Sequence, residues 1–289
     1  MHFSLILATV GRTEQLYPLF DSLVAQTWQD FTLIVVDQNP DDRVAKVLEK
    51  YDGRFPVVHL RAEKRGHAHA NNVGLPYATG EIIHFPDDDC WYPDDLFERV
   101  NRFLAEHAEW GGMTGREVNG KWDTEAGKLD KFNVWKRHIS FTMFFRRELV
   151  GSLRFDESLG VGAGTKWGSG EESDFLLRVM SRGPIYYDPA LAVFHPEWAT
   201  APFTEKKIEK ARSYGMGMGH VLRIHSYPAY FAFYHSLRPL VGSLLSLLRG
   251  NSGKARFHWA IFVGRTRGWL ETKPEDVKRP EIGIDALRA

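Results

Sequence analysis

A run of three aspartates is the first group of residues whose types and spacing could do chemistry. Asp87, Asp88 and Asp89 follow an apolar segment, residues 81–85, within FPDDDCWYPDDL. Adjacent carboxylates repel one another unless a cation neutralises them, and Mg²⁺ prefers one or two carboxylates together with phosphate oxygens. A turn after the apolar segment would let Asp87 and Asp89 converge, one on a metal ion and the other on a ribose or a metal-bound water. The pattern predicts a metal and phosphate site, and the simpler alternative is a solvated acidic turn before a helix.

A second acidic group, in GSGEESDFLLR, could supply a general base. Glu171, Glu172 and Asp174 stand at the start of a predicted helix over residues 171–182, after a glycine-rich segment that predicts a flexible loop over residues 160–170. A carboxylate accepts the proton of an attacking hydroxyl when it lies within hydrogen-bond reach of that oxygen. The simpler alternative is that the three acids only favour a helix N-terminus through the helix dipole.

The elements that must position these acids alternate between strands and helices. Apolar segments predict four buried strands, with helical spacing between them, at residues 3–9, 31–37, 56–60 and 81–85. This alternation predicts a parallel, doubly wound α/β sheet that is covered on both faces. Ligands bind such sheets beyond the carboxyl ends of the strands. Polar residues follow the four strands in turn: Thr9 and Arg12, then Asp37, then Arg65, then the three aspartates.

The chain is predicted to change character near residue 202. Before that point, a strand is predicted at residues 139–146 and one or two short strands within residues 185–196. After it come long amphipathic helical patterns, at residues 205–222, 227–249 and 253–270. We therefore predict an α/β domain over residues 1–202 and a helical extension over residues 203–289.

The two regions differ in charge although the whole chain is neutral. Residues 1–202 carry 22 Lys and Arg against 30 Asp and Glu, whereas residues 203–273 carry 12 against 3. Basic residues interleaved with Phe and Trp are typical of helices that lie in a membrane interface. The alternative is that these helices pack on the α/β domain with their arginines reaching outward. We predict contact with an anionic membrane surface, and no nucleic-acid partner because the sequence has no recognition motif.

Cysteine usage and hydropathy bear on location. Cys90 is the single cysteine, so no disulfide forms within the chain and a reducing compartment is expected. The N-terminal apolar segment lacks the basic flank of a signal peptide. No run of about 18 uncharged apolar residues predicts a membrane-spanning helix. We expect a cytoplasmic protein, peripheral at the inner face of the membrane.

Five segments together resemble a family 2 glycosyltransferase of the GT-A fold. They occur in the family's order and with similar spacing over roughly residues 1–200: LATVGR, IVVDQNP, GHAHANNVGL, FPDDDCWYPDDL and GSGEESDFLLRV. The resemblance implies a nucleotide-sugar donor (a UDP-, GDP- or dTDP-sugar), Mg²⁺ or Mn²⁺, and an inverting displacement at the anomeric carbon. The acceptor hydroxyl is then expected on a glycan or a lipid-linked acceptor, in exopolysaccharide or cell-surface glycan assembly.

The resemblance also implies roles for residues at the first two strand ends. Thr9 and Arg12 resemble residues that cradle the donor near its base and diphosphate. Asp37 resembles the acid that contacts the base or its ribose. Gln38 replaces a second acid that often follows, which leaves the identity of the base open.

Around the three aspartates, the resemblance implies a shared donor and metal site. Asp87 resembles the first acid of the family's D-x-D motif and Asp89 the metal-binding second acid. Asp88, between them, is assigned to the donor site with Asp87. His195, in VFHP, resembles a histidine that completes the metal shell in some members, and the alternative for it is a structural role.

The segment GHAHANNVGL departs from the family's usual G-x-x-x-A-R-N-x-G. Asn71 stands where the arginine is common, while Asn72 and Gly74 match. Asn72 is therefore assigned to the donor site, and Arg65 is expected to compensate for the missing arginine. The alternative is a plain helix N-terminus packed on the sheet.

The second acidic group resembles the family's Glu-Asp-x-Asp motif, in which the Asp after the Glu is usually taken as the base. Glu172 occupies that position with one extra methylene. Glu172 is thus the expected base, and Glu171 and Asp174 are the alternatives.

Two other functions fit parts of the pattern. A nucleotidyltransferase of similar fold also uses paired acids and a metal, but it would be expected to carry a glycine-rich, basic phosphate loop near its N-terminus, which LATVGR lacks. A non-catalytic nucleotide-sugar-binding protein would have no need of Asp87, Asp89 and Glu172 together.

Overall fold

The computed structural model describes residues 1–196, 202–273 and 275, and within them the central feature is a sheet of eight strands. The strands, in chain order, are β1 (Phe3–Thr9), β2 (Phe31–Asp37), β3 (Val57–Arg61), β4 (Ile82–His84), β5 (Gly112–Glu117), β6 (Gly127–Lys128), β7 (Phe144–Arg146) and β8 (Ile185–Val193). Their order across the sheet is β3-β2-β1-β4-β7-β5-β8-β6.

The first four strands form a parallel half-sheet, as the sequence predicts. β1 lies between β2 and β4, and β3 pairs with the outer side of β2. Thr9 is in register with Asp37, and Asp37 with Arg61, so the carboxyl ends of three strands lie side by side. The predicted, mostly parallel α/β sheet is confirmed.

The other half of the sheet is mixed, and here the predicted strand at residues 139–146 was partly wrong. Only β7 remains of it, because Ser140–Thr142 form a 3₁₀ turn. β7 runs antiparallel to β4 and to β5 and so joins the two halves. Residues 185–196 supply one strand, β8, parallel to β5. β5 is not predicted by the pattern, since its sequence GMTGRE has no apolar run.

Helices cover both faces of the sheet. Those of the α/β region are α1 (Leu16–Val24), α2 (Arg43–Leu48), α3 (His67–Gly74), α4 (Leu96–Glu106), α5 (Arg147–Val150) and α6 (Glu171–Met180). Successive strand residues face opposite sides. Leu5 and Leu33 pack in the cluster that holds α1 and α4, whereas Ile6 and Ile34 pack in the cluster that holds α3 and α6. Burial on both faces explains why these strands are continuously apolar.

Three long helices follow, with bounds close to those predicted: α7 (Glu205–Ile224), α8 (Ala229–Leu248) and α9 (Ser252–Leu270). α7 and α9 approach each other through glycines. A Cβ on Gly219 would overlap the carbonyl oxygen of Arg265, and a Cβ on Gly264 would overlap that of Arg212. The two helices therefore pack backbone against backbone. None of the described helices is both long enough and apolar enough to cross a membrane.

The end of the glycine-rich segment before α6, which the sequence predicts as a flexible loop, hydrogen-bonds to α7. Gly168 N–H donates to the carbonyl of Ser213 (3.2 Å), and Ser169 Oγ donates to the carbonyl of Tyr214 (2.9 Å). The extension thus supports the segment that leads into the second acidic group. The boundary predicted after residue 202 adjoins residues 197–201, which lie outside the described residues, as do residues 276–289 of the extension.

Candidate functional site

The carboxyl ends of β1 and β4 bring Thr9 and Arg12 onto the aspartate triplet. Thr9 Oγ1 donates a hydrogen bond to Asp88 (2.8 Å). Arg12 Nε lies 3.1 Å from Asp88, and an Arg12 terminal nitrogen lies 2.7 Å from Asp89. Four residues that the sequence assigns to one site therefore meet, and the guanidinium offsets the charge of two carboxylates.

Asp87, Asp89 and His195 form a group with the geometry of a metal site. Each offers one ligand atom, and these atoms all lie within 4.8 Å of one another. His195 Nε2 is 3.1 Å from Asp89 Oδ1, so a single ion could contact both atoms. Carboxylate oxygens with one imidazole nitrogen suit Mg²⁺ or Mn²⁺. The residues present therefore fit the divalent cation that the resemblance implies.

His195 reaches the triplet because the chain after β8 pairs with the chain after the triplet. Trp91 and Phe194 exchange two backbone hydrogen bonds, of 3.1 and 3.0 Å, and their rings stack 5.6 Å apart. Phe141 stacks on the His195 ring with centroids 5.1 Å apart. These contacts fix an imidazole that is far from Asp89 in the sequence.

Burial and neighbouring charges make the three aspartates electrostatically different. Burial raises the pKa of Asp88 to about 6, against the opposing charge of Arg12. Burial also raises the pKa of Asp87. On Asp89 burial acts in the same direction, but the hydrogen bond with His195 and the charge of Arg12 outweigh it and lower the pKa. Asp89 is thus held in the ionised form that a metal ligand requires.

His67, the first residue of α3, connects the triplet with the second acidic group. Its Nδ1 lies 3.2 Å from Oε1 of the buried Glu171, and its Nε2 lies 3.9 Å from Asp87. Burial acts to lower the pKa of His67, but the hydrogen bond with Glu171 and the charges of Asp87 and Glu172 outweigh it and raise the pKa to about 9. A protonated imidazole therefore stands between the two sets of carboxylates.

Glu172 is electrostatically coupled to the triplet. Ser140 Oγ donates a hydrogen bond to Asp87 (3.2 Å), and the charge of Asp87 acts on Glu172. Burial, then the charges of Glu171 and Asp87, raise the pKa of Glu172 well above its ordinary value. A carboxylate with a raised pKa is a stronger base than a free glutamate. The 3₁₀ turn that interrupts the predicted strand is the element that presents Ser140.

Asp174, the other alternative for the base, is engaged in an ion-pair network instead. Arg178 donates two hydrogen bonds to its Oδ2, of 2.9 and 2.6 Å, and His225 Nε2 lies 2.8 Å from its Oδ1. Both carboxylate oxygens are therefore occupied by groups that tie α6 to the end of α7. The structure separates Asp174 from the pair formed by Glu171 and Glu172.

Asp37 lies at the end of β2 with no exposed surface. Its Oδ1 accepts hydrogen bonds from the backbone and side-chain amides of Asn39, and its Oδ2 lies 3.0 Å from Arg61 and 3.2 Å from His59. A ligand at this strand end would meet the partly exposed Arg61 and His59 before it met Asp37.

Asn72 has its amide occupied within the chain. It donates to the carbonyl of Phe155 (3.0 Å) and to Glu157 (3.2 Å), and it accepts from the Phe155 N–H (2.7 Å). Asn72 therefore fixes the segment around residues 155–157, and the donor contact that the resemblance assigns to it stays a prediction.

Arg65 is exposed in the structure. Among the described residues, Arg12 pairs with Asp88 and Asp89, while His67 lies 3.9 Å from Asp87 and His195 lies 3.1 Å from Asp89. Arg12 and His67 thus supply positive charge at the triplet, and the compensation expected from Arg65 stays a prediction.

Sequence reasoning missed His67, Ser140 and Tyr214. Burial raises the pKa of Tyr214, and the charges of Glu171, Glu172 and Asp87 add to the effect. The signal for His67 was its place directly after a motif glycine, Gly66, whose φ of 141° starts α3 under the site. Ser140 was hidden inside the wrongly extended strand.

The sequence of this chain is similar to those of known glycosyltransferases. The sequence model described as Glycosyl transferase family 2 matches residues 4–156, more than half of the chain. A PGL/p-HBAD biosynthesis glycosyltransferase of Mycobacterium tuberculosis is 31% identical over 160 residues, which cover 52% of this chain and 61% of that protein. A GalNAc(5)-diNAcBac-PP-undecaprenol beta-1,3-glucosyltransferase of Campylobacter jejuni is 29% identical over 183 residues, which cover 57% of this chain and 58% of that protein. The matches span about three fifths of the length of these relatives.

Solved structures share the fold. Mannosyltransferase PcManGT from Pyrobaculum calidifontis, in complex with GDP-Man and Mn²⁺, has a TM-score of 0.66 at 16% identity and covers 94% of this chain and 88% of that one. The S. aureus TarS fragment 1-349 has a TM-score of 0.58 at 18% identity and covers 94% and 92%. At such identities the likeness shows the fold alone, which is the predicted GT-A type. Together with the sequence match, it shows that the chain belongs to glycosyl transferase family 2.

Proposed function

We propose that the chain is an inverting, metal-dependent glycosyltransferase that moves a sugar from a nucleotide-sugar donor to an acceptor hydroxyl. The observation that carries this proposal is the imidazole of His67, which lies 3.9 Å from Asp87 of the candidate metal group and 3.2 Å from Glu171, the neighbour of Glu172. This shared contact puts a basic carboxylate beside the place where a donor diphosphate would be held. An attacking hydroxyl needs such a base within reach.

The residues that would hold a Mg²⁺ or Mn²⁺ ion are Asp87, Asp89 and His195. When bound, the ion would neutralise negative charge on the leaving diphosphate. Arg12 would add a positive charge at the same place, because its guanidinium is already held against Asp88 and Asp89. The chain's own contribution is thus a donor platform at the ends of β1 and β4, in which one guanidinium faces the aspartates that would hold the ion.

The nucleoside of the donor would lie toward the end of β2. His59 and Arg61, both oriented by Asp37, would contact the base or ribose there. Gln38, which replaces a second acid, accepts a hydrogen bond from the Gly66 N–H (2.7 Å) and so is occupied within the chain. UDP-, GDP- and dTDP-sugars are the donors to test.

Glu172 would accept the proton of the acceptor hydroxyl while its oxygen attacks the anomeric carbon. The bond from that carbon to the diphosphate breaks on the opposite face, so the configuration inverts. Burial and the charges of Glu171 and Asp87 raise the pKa of Glu172 to about 8, so that its ionised form is a stronger base than a free glutamate. Glu171 is the weaker candidate, because its Oε1 is held by the protonated His67.

The acceptor that fits is a glycan or a lipid-linked acceptor, in exopolysaccharide or cell-surface glycan assembly. Support comes from the C. jejuni relative, whose name includes an undecaprenol-linked glycan. The basic extension supports a location at the cytoplasmic face of an anionic membrane. In this proposal residues 1–202 form the catalytic domain and residues 203–289 form the extension, whose helix α7 holds the segment before Glu171 through Ser213 and Tyr214.

The substitution Glu172→Gln tests the proposal, since it keeps the shape of the side chain and removes the proton acceptor. We expect turnover to fall by roughly 10²–10⁴ while donor binding persists. Binding would be measured by calorimetry with the three donor classes and Mn²⁺. Glu125→Gln, the same change at an exposed position, is the matched control. Near-normal turnover of Glu172→Gln would move the role of base to Glu171.

A further inference from the structure

Helix α8 is packed with its small and polar residues inward and its large apolar residues outward. The buried side carries Ala232, Ser236, Ser243 and Ser246, with His235 and Pro239. The exposed side carries Tyr230, Phe233, Tyr234, Val241, Leu244, Leu245, Leu247 and Leu248. Leu248 is 84% exposed and Tyr230 70% exposed. This is the reverse of a helix that packs on a soluble domain.

All of these exposed residues except Leu247 form one continuous stripe. Successive residues of a helix are rotated by about 100°. One side of α8 therefore carries positions 230, 233, 234, 241, 244, 245 and 248, and the buried positions lie on the opposite side. The stripe runs along the whole helix, about 30 Å for 20 residues. Contiguous apolar surface of this extent marks an interaction site. The outer stripe of α8 therefore has a partner.

The charge around the stripe has a single sign. Residues 229–270 contain six Arg and Lys and no Asp or Glu. Arg238 and Arg249 are exposed and about three turns apart, so they line the same edge of the stripe. The Arg238 guanidinium lies over the ring of Tyr234, 6.0 Å from its centroid.

α9 contributes less of this surface than the sequence predicts. Phe257 is buried, and Trp269 packs in the cluster around Leu222 and Tyr227. Arg256 and Arg267 pair with Glu205 and Glu271. Among the Phe and Trp residues of α9, which the sequence predicts to face lipid, Trp259 is half exposed.

We propose that the outer stripe of α8 lies in the plane of an anionic lipid bilayer, with Arg238 and Arg249 at the level of the headgroups. An in-plane helix of this kind buries an apolar face and keeps basic residues at the polar boundary. No described helix can span the bilayer. A second copy of this chain is the less favourable occupant, because it would bring a second surface of the same positive sign against the first.

The inference deepens the proposed membrane location and rests on it. α8 packs on α9, α9 on α7, and α7 holds the segment before Glu171 through Ser213 and Tyr214. Docking of α8 would therefore set the acids at a fixed height over the lipid surface, where a lipid-linked acceptor presents its hydroxyl.

The test is co-sedimentation of the full chain with phosphatidylglycerol–phosphatidylcholine vesicles and with phosphatidylcholine vesicles. The wild type should bind the anionic vesicles more strongly, and less so as salt rises. Leu244→Glu combined with Leu248→Glu should weaken binding about tenfold or more, because two charges enter the apolar stripe. Tyr77→Glu, at a half-exposed apolar residue outside α8, is the matched control and should bind as the wild type does.

A second variant keeps the stripe and removes charge. Arg238→Gln with Arg249→Gln should weaken binding to anionic vesicles by about fivefold per arginine, with little effect on neutral ones. Equal recovery of the wild type and the double glutamate variant would overturn the role of α8. Failure of the wild type to bind anionic vesicles would overturn the membrane location as well.

Light scattering tests the other occupant, a second copy of this chain. If the wild type is dimeric without lipid and the double glutamate variant is monomeric, lipid docking is overturned and the stripe is a contact between copies. Donor binding measured without vesicles is a separate readout. Its absence would contradict the proposed transferase and leave the lipid result standing.

Discussion

Replacing Asp174 with asparagine separates the structural acid of α6 from the proposed base. Asp174 is 4% exposed and accepts from Arg178 and His225 through both oxygens. Asp174→Asn keeps the size of the side chain but leaves the Arg178 guanidinium, 11% exposed, without its counter-ion. The substitution therefore removes one partner of a buried pair while the packing around it is preserved.

The expected cost follows from that geometry. Breaking a buried ion pair by removing one partner costs about 3–5 kcal/mol, and an asparagine that keeps one hydrogen bond falls at the lower end. For a chain of this size roughly 3 kcal/mol lowers Tm by about 6–10 °C. Turnover of the folded enzyme should change little, because Asp174 does not contact the triplet group.

The pH dependence gives an independent readout. Burial acts to raise the pKa of Asp174, but His225 and Arg178 outweigh it and lower the pKa in the folded state. Such a group stabilises the fold above the pKa of about 3.9 that it has when unfolded, and the stabilisation is lost as pH falls through the folded value. The Tm difference between wild type and Asp174→Asn should thus be full at neutral pH and shrink below about pH 4.

The assay is thermal unfolding from neutral to acidic pH, together with turnover measured well below Tm. Glu172→Gln is the reciprocal control: it leaves the ion pairs of Asp174 intact, so its Tm should not fall while its turnover collapses. An unchanged Tm for Asp174→Asn together with a large loss of turnover would refute the reasoning and make Asp174 the base.

Other substitutions address the metal group, the α7–α9 contact and the donor platform. Asp89→Ala should abolish Mn²⁺-dependent donor binding without unfolding the chain, and unchanged affinity by calorimetry would show that Asp89 is not a ligand. Gly219→Ala forces a methyl group onto the carbonyl of Arg265 and should destabilise the fold by about 1–3 kcal/mol. Gly253→Ala is the control and should not lower Tm, because a Cβ there meets only ordinary van der Waals contacts. Arg12→Ala should weaken donor binding by about tenfold or more, because a charge-assisted contact to the diphosphate is lost; equal affinity would place the diphosphate elsewhere.

The parallel half of the sheet and its polar edge could be predicted from the sequence because their signals are local. β1 and β2 are continuous apolar runs, and each ends at a polar residue that the register then brings side by side, Thr9 with Asp37. The aspartate triplet follows β4 directly. His195 could be suggested only through the family resemblance, since its approach to Asp89 depends on the pairing of Trp91 with Phe194.

The remaining features depend on tertiary contacts that leave no periodic signal. β5 has two glycines and pairs correctly only because β7 and β8 flank it. The pairing of Arg12 with Asp88 joins residues from two strand ends. For α8 the pattern shows an amphipathic helix but not which side faces the protein, and the apolar side proved to be the outer one.

The glycines between α7 and α9 also give the extension a sequence marker of its own. Gly215 and Gly219 are one helical turn apart on α7, Gly264 and Gly268 are one turn apart on α9, and a Cβ at any of them would press on the backbone of the other helix. No larger residue can arise at these positions while the helices stay in contact. Family members that carry both G-x-x-x-G pairs after the last sheet strand should therefore share this helical arrangement, and members without them should end in a different structure, whichever sugar they transfer.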